Sequence, residues 1–194
     1  GLAACEPVTD GHAYLEGRGI SNRTLGYFSG RVFTDTRGNA IFPHYDGKGV
    51  TGLEIKNVGF TGFSRGGEKG LWFKGQQGAG EIVFCESAID CMSYHQLKGA
   101  EGVAYVSTAG KTTEAAKASL KRLIEANPEA ELIAAFDNDE AGERFTAELE
   151  EIAQRPVTRD APALKDWNDQ LQHEQQKQTA MPKPKRAAEA EFEL

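Results

Sequence analysis

The stretch Leu132-Ile133-Ala134-Ala135-Phe136-Asp137-Asn138-Asp139 places two aspartates directly after a short apolar run. A second apolar run, residues 82–85, is followed in the same way by Glu86. Short apolar runs bounded by turn signals are typical of buried strands, and in open α/β sheets the ligand site lies beyond the carboxyl ends of the strands. We therefore expect the three carboxylates to meet at one rim of a parallel sheet.

Carboxylates crowded at one rim repel each other unless a divalent cation neutralises them. Hard oxygen ligands select Mg²⁺ or Mn²⁺ over softer metals, so Glu86, Asp137 and Asp139 predict a metal-dependent site for phosphate chemistry. Asp90 follows Glu86 by one helical turn and can point the same way. Helix capping is the competing interpretation, because an acid is favourable at any helix N-terminus, but a cap at Asp139 leaves Asp137 unexplained.

Residues 81–170 alternate between predicted strands and predicted helices. The strands are predicted at 81–85, 103–107 and 131–136, and the helices at 87–97, 112–126 and 140–153. This alternation predicts an α/β fold, in which right-handed crossovers join parallel strands and helices cover both faces of the sheet.

The flanking segments have a different character. Residues 1–80 predict a small mixed α/β subdomain, with two short helices capped by Asp10 and Ser21 and a hairpin of strands 40–45 and 50–55 around an Asp-Gly turn. Residues 171–194 predict a polar, flexible tail, first a frayed helix and then disorder.

The net charge of −7 over 194 residues is unevenly distributed. Residues 81–170 carry eighteen acidic and nine basic side chains, whereas residues 1–80 carry seven acidic and nine basic ones. An acidic segment beside a slightly basic one suits a metal site next to a surface that holds a polyanion.

Composition also limits the cellular setting. No apolar stretch approaches the length of a bilayer span, and the first five residues lack the basic and apolar regions of a secretory leader. Three cysteines without a pair of CxxC motifs support neither a zinc ribbon nor a disulfide framework, and Cys85 and Cys91 are interpreted as small buried hydrophobes. We expect a cytoplasmic protein with no membrane partner.

The segment Ser107-Thr108-Ala109-Gly110-Lys111-Thr112-Thr113 looks like a P-loop at first sight. A P-loop requires a glycine five residues before the glycine of Gly-Lys-Thr, and that position is Tyr105, so a P-loop ATPase is excluded. The backbone amides of Gly110 and Lys111 can still hold a phosphate at a helix N-terminus, although a plain helix cap explains them equally well.

A glycine-rich segment, residues 62–74, combines cations, flexible backbone and an aromatic ring. Such a mixture can hold a single strand of nucleic acid through phosphate contacts and base stacking. The candidates for contacts with the nucleic-acid backbone are Arg65, Lys69 and Lys74, and the candidate for base stacking is Trp72. A surface loop with a half-buried tryptophan is the alternative.

These motifs together resemble a known family. Three segments, 82–90, 107–110 and 136–142, resemble the Toprim signature: a glutamate after one strand, a glycine-containing turn after another and an Asp-x-Asp after a third. Residues 14–20 and 39–46 resemble the entry segments of bacterial primase catalytic cores, and are still more similar to Toprim-containing primase-like proteins of plasmids and other mobile elements. The resemblance covers roughly residues 12–170.

The resemblance implies that Glu86, Asp137 and Asp139 bind Mg²⁺ with Asp90 nearby. A later Asp-x-Asp contributes in bacterial primases. Here Asp166 carries over, while Asn168 stands where the second acid is expected.

The implied activity is that of a DNA primase, a nucleotidyltransferase that makes short RNA primers on single-stranded DNA from ribonucleoside triphosphates. Lys165 or Lys111 would neutralise the developing charge. The setting implied is DNA replication or transfer of a plasmid, phage or mobile element, with a helicase, relaxase or other replication protein as partner. Two alternatives remain open: a Toprim nuclease, and a non-catalytic nucleic-acid-binding accessory domain suggested by Asn168.

Overall fold

The computed structural model describes residues 1–99, 101–110 and 113–180. The helices of this part are α1 (Ala13–Gly17), α2 (Asn22–Tyr27), α3 (Ala88–Lys98), α4 (Glu114–Glu125), α5 (Glu140–Ala153) and α6 (Trp167–Ala180). The strands are β1 (Glu6–Pro7), β2 (Phe33–Thr34), β3 (Ala40–Tyr45), β4 (Val50–Asn57), β5 (Phe60–Phe63), β6 (Trp72–Lys74), β7 (Glu81–Cys85), β8 (Val103–Ser107), β9 (Glu131–Ala134) and β10 (Thr158–Arg159).

The first sheet is antiparallel, with the strand order β1-β2-β3-β4-β5. Its predicted β3–β4 hairpin is confirmed, and the Lys48 N–H donates to Asp46 Oδ1 in the turn at 2.8 Å. Strand β4 continues beyond the prediction to Asn57 and returns through Val58 and Gly59 into β5. This second hairpin was not predicted.

The two N-terminal helices use different caps. Ser21 caps α2 as predicted, because its hydroxyl accepts the Thr24 N–H at 3.3 Å. Helix α1 is capped by His12 and not by Asp10, since the ring Nδ1 of His12 accepts the Leu15 N–H at 3.4 Å. The prediction of Asp10 as a cap is therefore wrong.

The second sheet has the strand order β10-β9-β7-β8-β6. Its first four strands are parallel, whereas β6 is antiparallel to β8 and forms one edge. The predicted α/β fold with a parallel sheet is confirmed, with β6 as an addition from the segment before residue 80.

Alternate residues of the strands point to opposite faces of this sheet, as the period of two requires. Val83 and Cys85 pack with α3, α6 and the N-terminal helices, while Ile82 and Phe84 pack with α4 and α5. The helices therefore cover both faces as predicted. The first of these clusters also contains Phe42 of β3, so the two sheets share one core.

The remaining predictions on the fold concern the tail and the cysteines. Residues 171–180 continue α6, and residues 181–194, predicted to be disordered, lie outside the described residues. Cys85 and Cys91 are buried free thiols, as predicted. In the described part of the chain, no helix is long and apolar enough to span a membrane.

Candidate metal centre

The carboxylates predicted to form the site extend from two paired strands. Phe84 of β7 lies opposite Ala134 of β9, and the Ala135 N–H donates to the Phe84 carbonyl at 2.8 Å. Glu86 and Asp137 follow these two strands at the same rim of the sheet. The pairing of β7 with β9 therefore places the two acids side by side.

Asp137 experiences the strongest electrostatic perturbation in the site. Burial raises its pKa most, and the nearby carboxylates of Asp90, Glu86, Asp166 and Asp139 raise it further, to about 8. The structure thus brings the other four predicted metal ligands within electrostatic reach of Asp137. Such repulsion between like charges is the condition that a bound cation relieves.

Glu86 and Asp90 are perturbed in the same direction. Burial raises the pKa of Glu86, and the charges of Asp139 and Asp90 add to the effect. Asp90 is buried, and burial raises its pKa to about 6, against hydrogen bonds that favour the ionised form. Its carboxylate accepts the Ser87 hydroxyl and, at 3.3 Å, the backbone N–H of Asn168.

A cation from the first sheet, Lys56 of β4, acts electrostatically on Glu86 and Asp90. Its charge lowers the pKa of both Glu86 and Asp90, and Lys165 acts on Glu86 in the same way. Lys56 also pairs with Glu54 at 3.3 Å, with side chains only 13% and 8% exposed. Lys56 was not predicted from the sequence, although two charged residues at alternate positions of one strand face the same side.

Two of the acids also cap helices. Asp139 Oδ1 accepts the Gly142 N–H at 2.9 Å at the start of α5. Asp166 Oδ1 accepts the Asp169 N–H at 2.7 Å at the start of α6. The capping interpretation is thus confirmed for Asp139. Because each bond uses Oδ1, capping and metal binding are compatible.

The glycine turn after β8 supports Glu86. The Ser107 hydroxyl and the Gly110 N–H donate to the Glu86 carbonyl at 3.0 and 3.1 Å. Ala109 and Gly110 have φ of 51° and 67°, a left-handed pair that turns the chain back towards Glu86. The Gly110 amide is already used, so its predicted role in phosphate binding is wrong. Lys111 lies outside the described residues.

Trp72 is not a stacking platform, contrary to the prediction. Its side chain is fully buried between the rings of Phe28 and Phe42, and its Nε1–H donates to the Arg31 carbonyl at 2.7 Å. A base cannot reach it. The reason is that β6 joins the second sheet, which turns this ring into the shared core.

The three residues predicted to contact the nucleic-acid backbone differ in solvent exposure. Arg65 is exposed. Lys69 is half-buried and donates to the Ala109 carbonyl at 2.8 Å, which ties the segment between β5 and β6 to the turn after β8. Lys74 lies over the Tyr27 ring, with Nζ 5.6 Å from the ring centre, and burial lowers its pKa. Arg65 is thus the most accessible of the three.

Asn168 stands where the resemblance implies a second acid, and it has a structural role. Its buried Nδ2 donates to the Arg18 carbonyl at 2.8 Å and to the Ser93 hydroxyl at 2.9 Å. Because its backbone N–H also reaches Asp90, Asn168 joins α1, α3 and α6 next to the acids. An ionised carboxylate here could not donate these bonds.

The donor set suits a hard divalent cation. Glu86 Oε2 and Asp137 Oδ1 are buried and have no hydrogen-bond partner among the described residues. Buried, unpaired carboxylate oxygens are unfavourable unless a counter-charge satisfies them, and oxygen ligands select Mg²⁺ or Mn²⁺. As the side chains lie, residues 1–99, 101–110 and 113–180 contain no group of three or more His, Cys, Asp or Glu that could hold a metal ion. The residues fit the cation by their chemistry and by these two unsatisfied oxygens.

A parallel sheet with an acidic rim is the arrangement that the resemblance to the Toprim signature implies. Residues 83–171 match the family described as Toprim-like, and residues 13–80 match a family described as a protein of unknown function (DUF3991). Residues 83–171 are therefore similar to Toprim-like domains, and the fold of the chain is similar to that of two solved structures.

The first of these structures is the primase fragment of the bacteriophage T7 primase-helicase protein. It is 18% identical, with a TM-score of 0.58 over 89% of this chain and 74% of that one. The second contains bacteriophage T7 lagging-strand DNA polymerase interacting with primase domains of two gp4 subunits bound to an RNA/DNA hybrid and dTTP. It is also 18% identical, with a TM-score of 0.62 over 92% of each chain. No curated protein matches the chain.

Proposed function

We propose that this chain is the catalytic core of a DNA primase-like enzyme, which joins ribonucleoside triphosphates into short RNA primers on single-stranded DNA. The observation that carries the proposal is the cluster of five carboxylates at the rim of a Toprim-like domain. The likeness in fold to primase domains bound to an RNA/DNA hybrid and dTTP supports it.

In this proposal Glu86, Asp137 and Asp139 hold Mg²⁺ or Mn²⁺, with Asp90 and Asp166 completing the negative field. When bound, the metal lowers the pKa of the attacking 3′ hydroxyl and neutralises the triphosphate. The buried, unpartnered oxygens of Glu86 and Asp137 support this assignment.

The cations of the chain have a separate task. Lys165 and Lys56 act electrostatically on Glu86, and both are assigned to offset the negative charge that develops on the transferred phosphate. Arg65, exposed beyond β5, is assigned to the template backbone. Lys69 acts indirectly, because it holds the turn that positions Glu86.

The proposal extends to the biological setting. The resemblance to primase-like proteins of mobile elements supports a role in the replication or transfer of a plasmid, phage or similar element in the cytoplasm. A helicase, a relaxase or another replication protein is the proposed partner class. A bacteriophage T7 primase domain in contact with a DNA polymerase is a precedent for such assemblies.

The test is an assay of the purified chain with single-stranded DNA and labelled ribonucleotides, with Mg²⁺, Mn²⁺ or EDTA. We expect metal-dependent oligoribonucleotides, lost in Glu86→Gln and Asp137→Asn. Glu129→Gln is the matched control, because Glu129 is an exposed acid that precedes β9, whereas Asp137 follows the opposite end of that strand. Shortened DNA without RNA products would support the nuclease instead. DNA binding with neither activity would support an accessory domain, and either outcome overturns the proposal.

A further inference from the structure

The tip of the β4–β5 hairpin presents two exposed hydrophobic side chains. Val58 is 84% exposed and Phe60 is 52% exposed. They border a groove of about 420 Å³ whose opposite wall is α1, with Tyr14 and Arg18 among the lining residues. An aromatic ring left in solvent beside a second aromatic ring and a guanidinium needs an explanation beyond the fold.

The tip is held in place by its own contacts. The Val58 N–H donates to Asn57 Oδ1 at 2.8 Å, and Asn57 Nδ2 donates to Asn39 Oδ1 at 3.0 Å. The Phe60 ring lies over Gly62, where a Cβ atom would come within 2.7 Å of the ring Cζ. One side of the ring therefore rests on backbone, and the residue still remains half-exposed.

The groove is connected to the candidate metal centre through residues on both of its walls. Asn57 directly follows Lys56, whose charge acts on Glu86 and Asp90. On the other wall, the Arg18 carbonyl accepts Asn168 Nδ2, and the backbone N–H of Asn168 reaches Asp90. Both walls of the groove are thus connected to the acidic cluster.

The charge of the groove favours an anionic occupant. In the described part of the chain, the Arg18 guanidinium has no ion pair, and its Nε is buried without a hydrogen-bond partner. A flat apolar surface next to an unpaired cation matches an unpaired base and its phosphate. An apolar peptide would leave Arg18 without a counter-charge.

We propose that this groove binds one unpaired base of the single-stranded DNA template, with Phe60 and Tyr14 as stacking surfaces and Arg18 attracting the adjacent phosphate. The inference rests on the proposed function and deepens it, because it gives the template a path next to the carboxylates. It also assigns to Phe60 the stacking role that buried Trp72 cannot fulfil.

The test measures binding separately from catalysis. Fluorescence anisotropy with a labelled single-stranded oligonucleotide in EDTA reports affinity without metal-dependent chemistry. Loss of one stacked base predicts that Phe60→Ala weakens binding about 5-fold or more, whereas Phe60→Trp retains it. Val50→Ala is the matched control, since Val50 is 45% exposed at the other end of β4. Equal thermal melting of the variants excludes misfolding.

Photo-crosslinking locates the base. An oligonucleotide carrying 5-iodouracil is expected to crosslink to the peptide that contains Phe60 or Tyr14. Wild-type affinity in Phe60→Ala, or crosslinks only elsewhere, overturns the inference. If the crosslink and the Phe60 dependence are found without primer synthesis, the groove stands and the primase proposal falls. If primer synthesis is found but is unaffected by Phe60→Ala, and this crosslink is absent, the primase proposal stands and the groove falls.

Discussion

Replacing Gly142 with alanine is expected to damage the metal centre although no carboxylate is changed. Gly142 lies in the first turn of α5, where an added Cβ would come within 1.9 Å of the Asp137 carbonyl oxygen. That carbonyl accepts a hydrogen bond from Arg159 Nη2 at 2.7 Å. The position of Asp137 therefore depends on residue 142 being a glycine, which has no Cβ atom.

The size of the effect follows from this contact. An ordinary van der Waals contact begins at 3.4 Å, so the carbonyl and the helix must separate by about 1.5 Å from 1.9 Å. Overpacking of this kind costs about 1–3 kcal/mol, and weakening a hydrogen bond to a charged group costs about 1.5–3 kcal/mol. Because alanine gains about 1 kcal/mol of helix propensity, we expect a net loss of about 1.5–5 kcal/mol.

The assay compares Gly142→Ala with Gly26→Ala by urea unfolding and by metal-dependent primer synthesis. Gly26 is also helical, but its nearest neighbour is the Thr9 carbonyl oxygen at 3.7 Å, which leaves room for a methyl group. Gly26→Ala should be neutral or stabilising. For Gly142→Ala we expect a fall in melting temperature of roughly 3–20 °C and about a 100-fold loss of activity from the displaced Asp137. Equal stability and equal activity of the two variants would refute the reasoning.

Three further predictions concern individual side chains. The pKa of Asp137 is raised from 3.8 to about 8, so between these values the folded state binds a proton that the unfolded state has lost, and stability falls as pH rises. In EDTA, the melting temperature of the wild type should therefore drop between about pH 5 and 8 more than that of Asp137→Asn, and parallel curves would contradict this. Lys56→Met should raise the pKa of Glu86 and Asp90 in NMR titrations, because the cation that lowers both is removed, while Lys56→Arg should leave both near wild type. Trp72→Phe should cost about 1–3 kcal/mol by removing the hydrogen bond to the part-buried Arg31 carbonyl, yet leave affinity for single-stranded DNA unchanged; weaker DNA binding at equal stability would restore Trp72 as a contact residue.

Much of the second sheet could be predicted from the sequence, because a buried parallel strand is a short apolar run and an amphipathic helix has its own period. The ends of β7 and β9 therefore led directly to Glu86 and Asp137. The location of the carboxylates at one rim follows from the general geometry of such sheets, which needs no knowledge of individual contacts.

The predictions from the sequence were wrong or incomplete where tertiary packing determines the role of a residue. Trp72 lies in a glycine-rich, cationic segment that is typical of a surface loop, but pairing of β6 with β8 draws its ring into the core. Lys56 was missed because its relation to the acids arises between two sheets far apart in sequence. Asn168 was interpreted as a missing acid, since the groups that accept its N–H hydrogens, on Asp90, Arg18 and Ser93, are far from it in sequence.

The antiparallel edge strand β6 makes the two halves of the chain inseparable in practice. A polypeptide that starts at residue 81 would lose β6, and β8 would become an open edge with unpaired backbone donors and acceptors. The same cut would remove Phe28, Phe42 and Trp72 from the buried cluster that contains Tyr105, leaving a cavity lined by apolar side chains on one face of the second sheet. Residues 81–180 could consequently be fused to a different N-terminal segment only if that segment supplies a strand of its own to pair with the open edge of β8.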